Sequence, residues 1–184
     1  MSDTNGGHGK VVVNRCMSLD GFIAGPGDAM DWVAQFLLAD EMRKQAAATG
    51  AMLVGRRTAD VGERMESEKP GSVDYPFSGP VFVLTHRPPQ PADSNITYLS
   101  GDIGEAVATA RSSARGKSLE ILGADVAAQC LQRGLVDEIL VYVLPLLLGD
   151  GVRFSPPGAG RIDLEPVSTT RSGTVTILRF RVRK

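Results

Sequence analysis

The chain has 184 residues, 42% of them hydrophobic and 22% charged, enough for one globular domain with a sizeable core. Its formal net charge is −1, so no global field recruits nucleic acid or a membrane surface, and basic residues inform only where they cluster. The longest apolar run, Ile139 to Leu148, is interrupted by Pro145 and is too short to span a bilayer.

Met1 to Gly9 is polar and glycine-rich and reads as a loose tail carrying His8, not as a signal peptide, so a cytoplasmic protein is expected. Lys10 to Met17 (KVVVNRCM) reads as a first strand, β-branched at its start. Ser18 to Ala24 follows, then Gly25-Pro-Gly-Asp28, a strong loop signal. Asp31 and Trp32 close that loop ahead of a helix expected from Val33 to Thr49, with Val33, Phe36 and Leu37 opening its apolar stripe and Gly50 as its C-cap. Ala51 to Val54 reads as a second strand, and Gly55-Arg-Arg-Thr58 opens the helix after it. Glu66 to Pro80 reads as loop. Val81 to Leu84 is a third strand, ending in Thr85-His-Arg87 before a proline-rich connection.

Ile96 to Leu99 is a short extended segment and Ile103 to Arg115 a helix. Ser118 to Leu122 reads as a buried strand, after which Val126, Ala127, Cys130 and Leu131 fall at helical spacing. Asp137 to Leu144 is too continuously apolar for an exposed strand. Gly149-Asp-Gly151 and Ser155-Pro-Pro-Gly158 are loops, and Arg161 to Thr169 and Thr174 to Val182 form a closing antiparallel pair turned at Ser172-Gly173. Cys16 and Cys130 lie in apolar contexts outside any metal-ligand spacing and read as reduced core thiols. Strands alternating with helices predict an αβ protein with a largely parallel sheet and an antiparallel C-terminal edge.

Three strand ends carry ligand-friendly chemistry: Gly55 to Thr58, Thr85 to Arg87, and Gly123 to Asp125. If their strands are parallel and adjacent, the ends converge on one crevice. A strand that passes through Gly123-Ala124 into a helix presents backbone N–H groups and the positive end of a helix dipole, which suits a pyrophosphate. Thr58 with the helix N–H groups would hold a neighbouring phosphate. Arg56, Arg57 and Arg87 match phosphate oxygens bidentately, Arg87 in the place for a ribose 2′-phosphate. Together these turns predict a dinucleotide site.

Met17-Ser-Leu-Asp-Gly-Phe-Ile-Ala24, Leu53-Val-Gly-Arg-Arg-Thr58, Val83-Leu-Thr-His-Arg87, Ile121-Leu-Gly-Ala124 and Val136-Asp-Glu-Ile-Leu with Pro145-Leu-Leu-Leu-Gly-Asp-Gly151 occur in that order. This series resembles the dihydrofolate reductase-like superfamily, in the branch similar to the C-terminal reductase domain of bacterial bifunctional riboflavin biosynthesis proteins. The resemblance covers residues 10–184 as a single domain behind the tail at 1–9. It implies a three-layer αβα fold around a mixed sheet, NADPH as cofactor, and a homodimer. It assigns Gly55, Arg56, Arg57 and Thr58 with Thr85, His86 and Arg87 to the adenosine-phosphate side. Leu122, Gly123, Ala124, Asp125 and Val126 go to the pyrophosphate, and Ala24 to the nicotinamide side. Gly149-Asp150 with Phe154 is similar to a Gly-Asp-Thr-x-Phe-Pro segment near the cofactor loop.

The sequence departs from that pattern in two places. Ala124 stands where the family usually has a second glycine, and Thr58-Ala-Asp-Val-Gly62 does not match the acidic-proline segment of the riboflavin enzymes. A zinc deaminase signature is also absent, so the chain is not read as the riboflavin enzyme itself, and no metal is expected. Hydride transfer to a C=N or C=O bond needs a proton source beside the fixed nicotinamide. Asp20, just after the first strand, and Asp31, at the mouth of the following helix, are the acids expected to bind or protonate a small pteridine- or pyrimidine-like substrate. Turn support by Asp20 and N-capping by Asp31 are the competing structural roles. The functional alternative is an NADPH-binding sensor or dimeric scaffold without turnover.

Overall fold

Val11 to Val13, each no more than 1% exposed, mark the centre of the sheet on which everything else is laid. The computed structural model describes residues 9–36, 39–70, 75–90, 95–156 and 160–184; the tail with His8, and Leu37, fall outside the described residues. The elements run β1 (Val11–Ser18), β2 (Phe22–Ala24), α1 (Asp31–Ala34), α2 (Ala39–Ala48), β3 (Thr49–Gly55), α3 (Arg56–Glu68), β4 (Val81–Leu84) and β5 (Ile96–Leu99). They continue as α4 (Ile103–Ser112), β6 (Ser118–Leu122), α5 (Ala124–Gln132), β7 (Glu138–Leu144), β8 (Val152–Arg153), β9 (Leu164–Ser172) and β10 (Val175–Val182).

Eight strands form one sheet in the order β5-β4-β3-β6-β1-β7-β10-β9. From β5 to β7 all neighbours are parallel, and β10 and β9 close the edge antiparallel. Strand side chains alternate between faces. Val11, Val13, Leu53, Leu119 and Ile121 therefore pack under Ile103, Val107 and Ala110 of α4 and Val126, Ala127 and Cys130 of α5. On the opposite face Trp32, Val33 and Phe36 cover Val12, Leu140, Tyr142 and Ile177, and Ala59 of α3 packs near Met52, Val54 and Val83. Helices on both faces of a mixed sheet give the expected three-layer αβα architecture.

A polar strip crosses the second face. Glu120, 1% exposed, accepts hydrogen bonds from Asn14 Nδ2, Thr49 Oγ1 and the Tyr75 hydroxyl, each at 2.9 Å. The buried Glu138 accepts from Arg179 Nη1 (2.8 Å) and from Lys10 Nζ. Burial opposes ionisation of Glu138, but Lys10 and Arg179 together hold its carboxyl below the usual range. Such groups are tolerated inside because their hydrogen bonds are made.

Four expectations need correction. The helix expected from Val33 to Thr49 is two helices, α1 and α2. Gly50 is not a C-cap: α2 ends at Ala48, the Thr49 hydroxyl donates to Gln45 O (2.9 Å), and Gly50 already belongs to β3. α3 runs on to Glu68 and stops at Lys69, the residue that Pro70 disfavours from helical geometry. The segments around Phe22 and Val152, given no element in the sequence, pair as β2 and β8 in a second, two-stranded sheet. Cys16 and Cys130 are free: Cys130 is buried in the core on one face, while Cys16 packs partly buried against the core on the other, and burial pushes their thiols up to about 12 and about 11. Among the described residues no helix is long and apolar enough to cross a membrane, and no group of His, Cys, Asp and Glu is arranged to hold a metal ion.

Candidate active site

The carboxyl ends of β4, β3 and β6 lie side by side, since β3 pairs in parallel with β4 up to Gly55↔Leu84 and with β6 up to Val54↔Leu122. The three turns singled out in the sequence leave those ends. α3 connects β3 to β4 on one face, and α5, packed over β3 and β6, begins the connection from β6 to β7 on the other. Connections that diverge from neighbouring strands leave a crevice between them, the place where open αβ sheets bind ligands.

Gly123, the turn from β6 into α5, has φ 103°, a conformation that side chains resist. A Cβ there would stand 3.0 Å from Thr58 Oγ1 and 3.2 Å from Gly55 N, so the turns after β3 and β6 touch through bare backbone. Ala124 already belongs to α5 and is not among the residues with positive φ. Its methyl therefore carries no backbone strain in place of the second glycine. Val126 is buried beneath the turn, while Leu122 is half-buried and Asp125 exposed.

A cleft of about 330 Å³ opens at this helix start. Phe22, Ala124 and Asp125 line one side, and Gly149 to Arg153 with Pro156 line the other. The second wall sits directly on β2: a Cβ on Gly151 would meet Ala24 O at 2.0 Å, and Phe154 N–H donates to Gly21 O (2.9 Å). Ala24 is thus buried behind the wall of this cleft. The Arg153 guanidinium stands 4.6 Å over the Phe22 ring, a cation–π contact that fixes a positive charge on the wall.

The arginines divide. Arg56 pairs with Asp60 (2.6 Å) within α3, and Arg57 Nε donates to Asp28 Oδ2 (2.7 Å), tying α3 to the loop after β2. Arg87 is exposed and makes no ion pair among the described residues, so its guanidinium is the one available to a ligand. Thr85 is buried; its hydroxyl accepts from Arg87 N–H (3.0 Å) and its N–H donates to Leu99 O (2.8 Å), which orders the turn, and His86 is exposed.

Asp20 is engaged as a hydrogen-bond acceptor. Its carboxylate accepts from Ser18 Oγ (2.6 Å), Leu148 N–H (3.1 Å) and Gly149 N–H (2.7 Å). The Ser18 hydroxyl first, with those backbone N–H groups, outweighs burial and holds its pKa at about 2. Asp20 braces the Leu148–Gly149 turn of the cleft wall rather than Gly21. Asp31 is the first residue of α1, with Met30 in the N-cap position, and is exposed without a hydrogen-bond partner among the described residues. Its carboxylate remains available. Three residues near the crevice escaped the sequence reading: Asp28, Arg153 and Arg15. The signal for Arg15 was present, as a charge inside the apolar run KVVVNRCM.

A match to the family model of the RibD C-terminal domain extends over residues 9–178. The chain belongs to the RibD C-terminal domain family. Among curated proteins, YwjB of Bacillus subtilis, itself uncharacterised, is 26% identical over 148 residues, spanning 78% of this chain and 80% of YwjB. A candidate riboflavin biosynthesis protein from Shewanella sp. PV-4 superposes with a TM-score of 0.79 at 21% identity, covering 95% of this chain and 99% of its own. Dihydrofolate reductase from Enterococcus faecalis, solved with NADP(H) and an inhibitor, superposes at 0.65 with 15% identity, covering 96% of this chain and 98% of its own. At these identities the superpositions bear on fold, and the RibD-type domain shares its architecture with dihydrofolate reductase.

Proposed function

We propose that this RibD-type domain is an NADPH-dependent reductase of a small pteridine- or pyrimidine-like substrate. The observation that carries the reading is the contact of Gly123 with Thr58 and Gly55, a bare-backbone seat beside the start of α5 and an open cleft. In this reading the N–H groups of Gly123, Ala124, Asp125 and Val126 hold the pyrophosphate, with the Thr58 hydroxyl beside them. Arg87, exposed and without an ion pair among the described residues, meets the ribose 2′-phosphate, with Thr85 ordering its backbone and His86 beside it. Ala24 backs the nicotinamide end. A bound NADPH supplies the hydride. Asp31 binds the substrate or delivers the proton, and Asp20 keeps the Leu148–Gly149 wall in place. The domain works as a homodimer in the cytoplasm, and residues 10–184 form one folding unit.

The experiment is loss of reduced-nicotinamide absorbance with a panel of pteridines and aminopyrimidines. Turnover that vanishes in Asp31→Asn while NADPH affinity is unchanged supports the assignment. The engagement of Asp20 favours one second reading, a cofactor-binding protein without turnover. NADPH binding with no consumption across the panel would select it.

A further inference from the structure

Arg15 carries a charge in the interior of the sheet, only 7% exposed. No carboxylate lies within salt-bridge distance of it among the described residues. Its guanidinium donates through Nη1 to Asn14 O (2.7 Å) and Ile121 O (2.8 Å), and through Nη2 to Gly123 O (2.9 Å). A cation desolvated among carbonyls is a costly arrangement. It occurs where β1 and β6 part.

β1 pairs with β6 only from Val11↔Leu119 to Val13↔Ile121. Both strands continue: β1 stays in register with β7 to Ser18↔Leu144, and β6 with β3 to Val54↔Leu122. The phase of the β1–β6 ladder is set by Leu119 N–H donating to Lys10 O. Two rungs later the same spacing would bring Gly123 N–H onto Asn14 O. That oxygen is held instead by Arg15 Nη1, while Arg15 Nη2 and Ala127 N–H hold Gly123 O. Gly123 lies outside both ladders, in the left-handed turn at the crevice.

We infer that Arg15 is a positioning residue of the nucleotide site: its side chain replaces the terminal rung of the β1–β6 ladder, parts the strands, and releases the Gly123 amide to a phosphate oxygen. The inference rests on the reading of the crevice as a nucleotide site. Burial lowers the Arg15 pKa to about 10, so the guanidinium stays charged at neutral pH.

The test is calorimetric binding of NADPH and of adenosine 2′-monophosphate, which has no pyrophosphate, to the wild-type chain, Arg15→Met and Arg15→Lys, with thermal melts of each. Arg15→Met is expected to weaken NADPH by about tenfold or more and to leave adenosine 2′-monophosphate within about twofold. Arg15→Lys, which keeps the charge but not the two-pronged geometry, is expected to fall between. Should Arg15→Met not fold, the selective loss in Arg15→Lys carries the test. Unchanged NADPH affinity in the folded variants overturns the role of Arg15 while the nucleotide reading stands. Equal loss of both ligands overturns it too, as general damage. A wild-type chain that binds neither ligand overturns the nucleotide reading and this inference with it.

Discussion

Gly123→Ala is the most informative single substitution, because its cost has two separable parts. The native φ of 103° is one that L-residues avoid, at about 1–2 kcal/mol. The added Cβ would also lie 3.0 Å from Thr58 Oγ1, 3.2 Å from Gly55 N and 3.4 Å from Gly55 Cα. The Thr58 hydroxyl can rotate away, but the Gly55 backbone belongs to β3 and cannot, which adds about 1–2 kcal/mol of overpacking. The expected loss is about 2–4 kcal/mol, or about 5–15 °C in Tm for a chain of this length. The assay is thermal unfolding paired with NADPH titration below the transition. Ile177→Ala, in the core between β10 and α1 and distant in the sheet from β3 and β6, is the control, at a comparable cost of about 2–5 kcal/mol. Gly123→Ala should weaken NADPH by about tenfold or more, and Ile177→Ala should leave it within about twofold. Equal affinity in Gly123→Ala and the wild type, or equal loss in the control, would refute the reasoning.

Arg87→Ala should weaken NADPH by about 1.5–3 kcal/mol, a charged hydrogen bond, and leave NADH unchanged; titration of both cofactors checks it. Asp20→Asn tests the sign of a pH effect. The folded pKa of Asp20 is depressed to about 2 from 3.8, so its contribution to stability is present above the unfolded value and is lost as pH falls from about 4 toward 2. Acid denaturation of Asp20→Asn should lack that part of the slope, and no pH dependence of turnover near neutrality should move with it. Glu120→Ala leaves Asn14, Thr49 and Tyr75 without their shared acceptor and should cost about 3 kcal/mol or more in chemical denaturation.

Much of this molecule was legible in its sequence because local rules and tertiary placement agree. Ser118 to Arg133 reads as strand, glycine turn and helix, and folds so, with α5 ending at Gln132. The convergence of the three turns was conditional on strand adjacency, which no local pattern supplies; the β4-β3-β6 order supplies it. The misses have physical causes. β2 and β8 are three and two residues long, too short for a period to show. The α1–α2 break falls in a run, Val33 to Thr49, that holds no glycine or proline to mark it. The role of Asp20 depends on Leu148 and Gly149, distant in sequence, and that of Arg15 on Gly123; an acid in a turn and an arginine in a strand do not announce such partners.

The measurement that tests the central claim most directly is binding of NADPH against NADH to the purified chain, by calorimetry. The reading predicts saturable binding with NADPH preferred by about tenfold or more, the worth of a 2′-phosphate meeting Arg87. No binding of either cofactor would contradict it, leaving the fold and the family without the proposed activity.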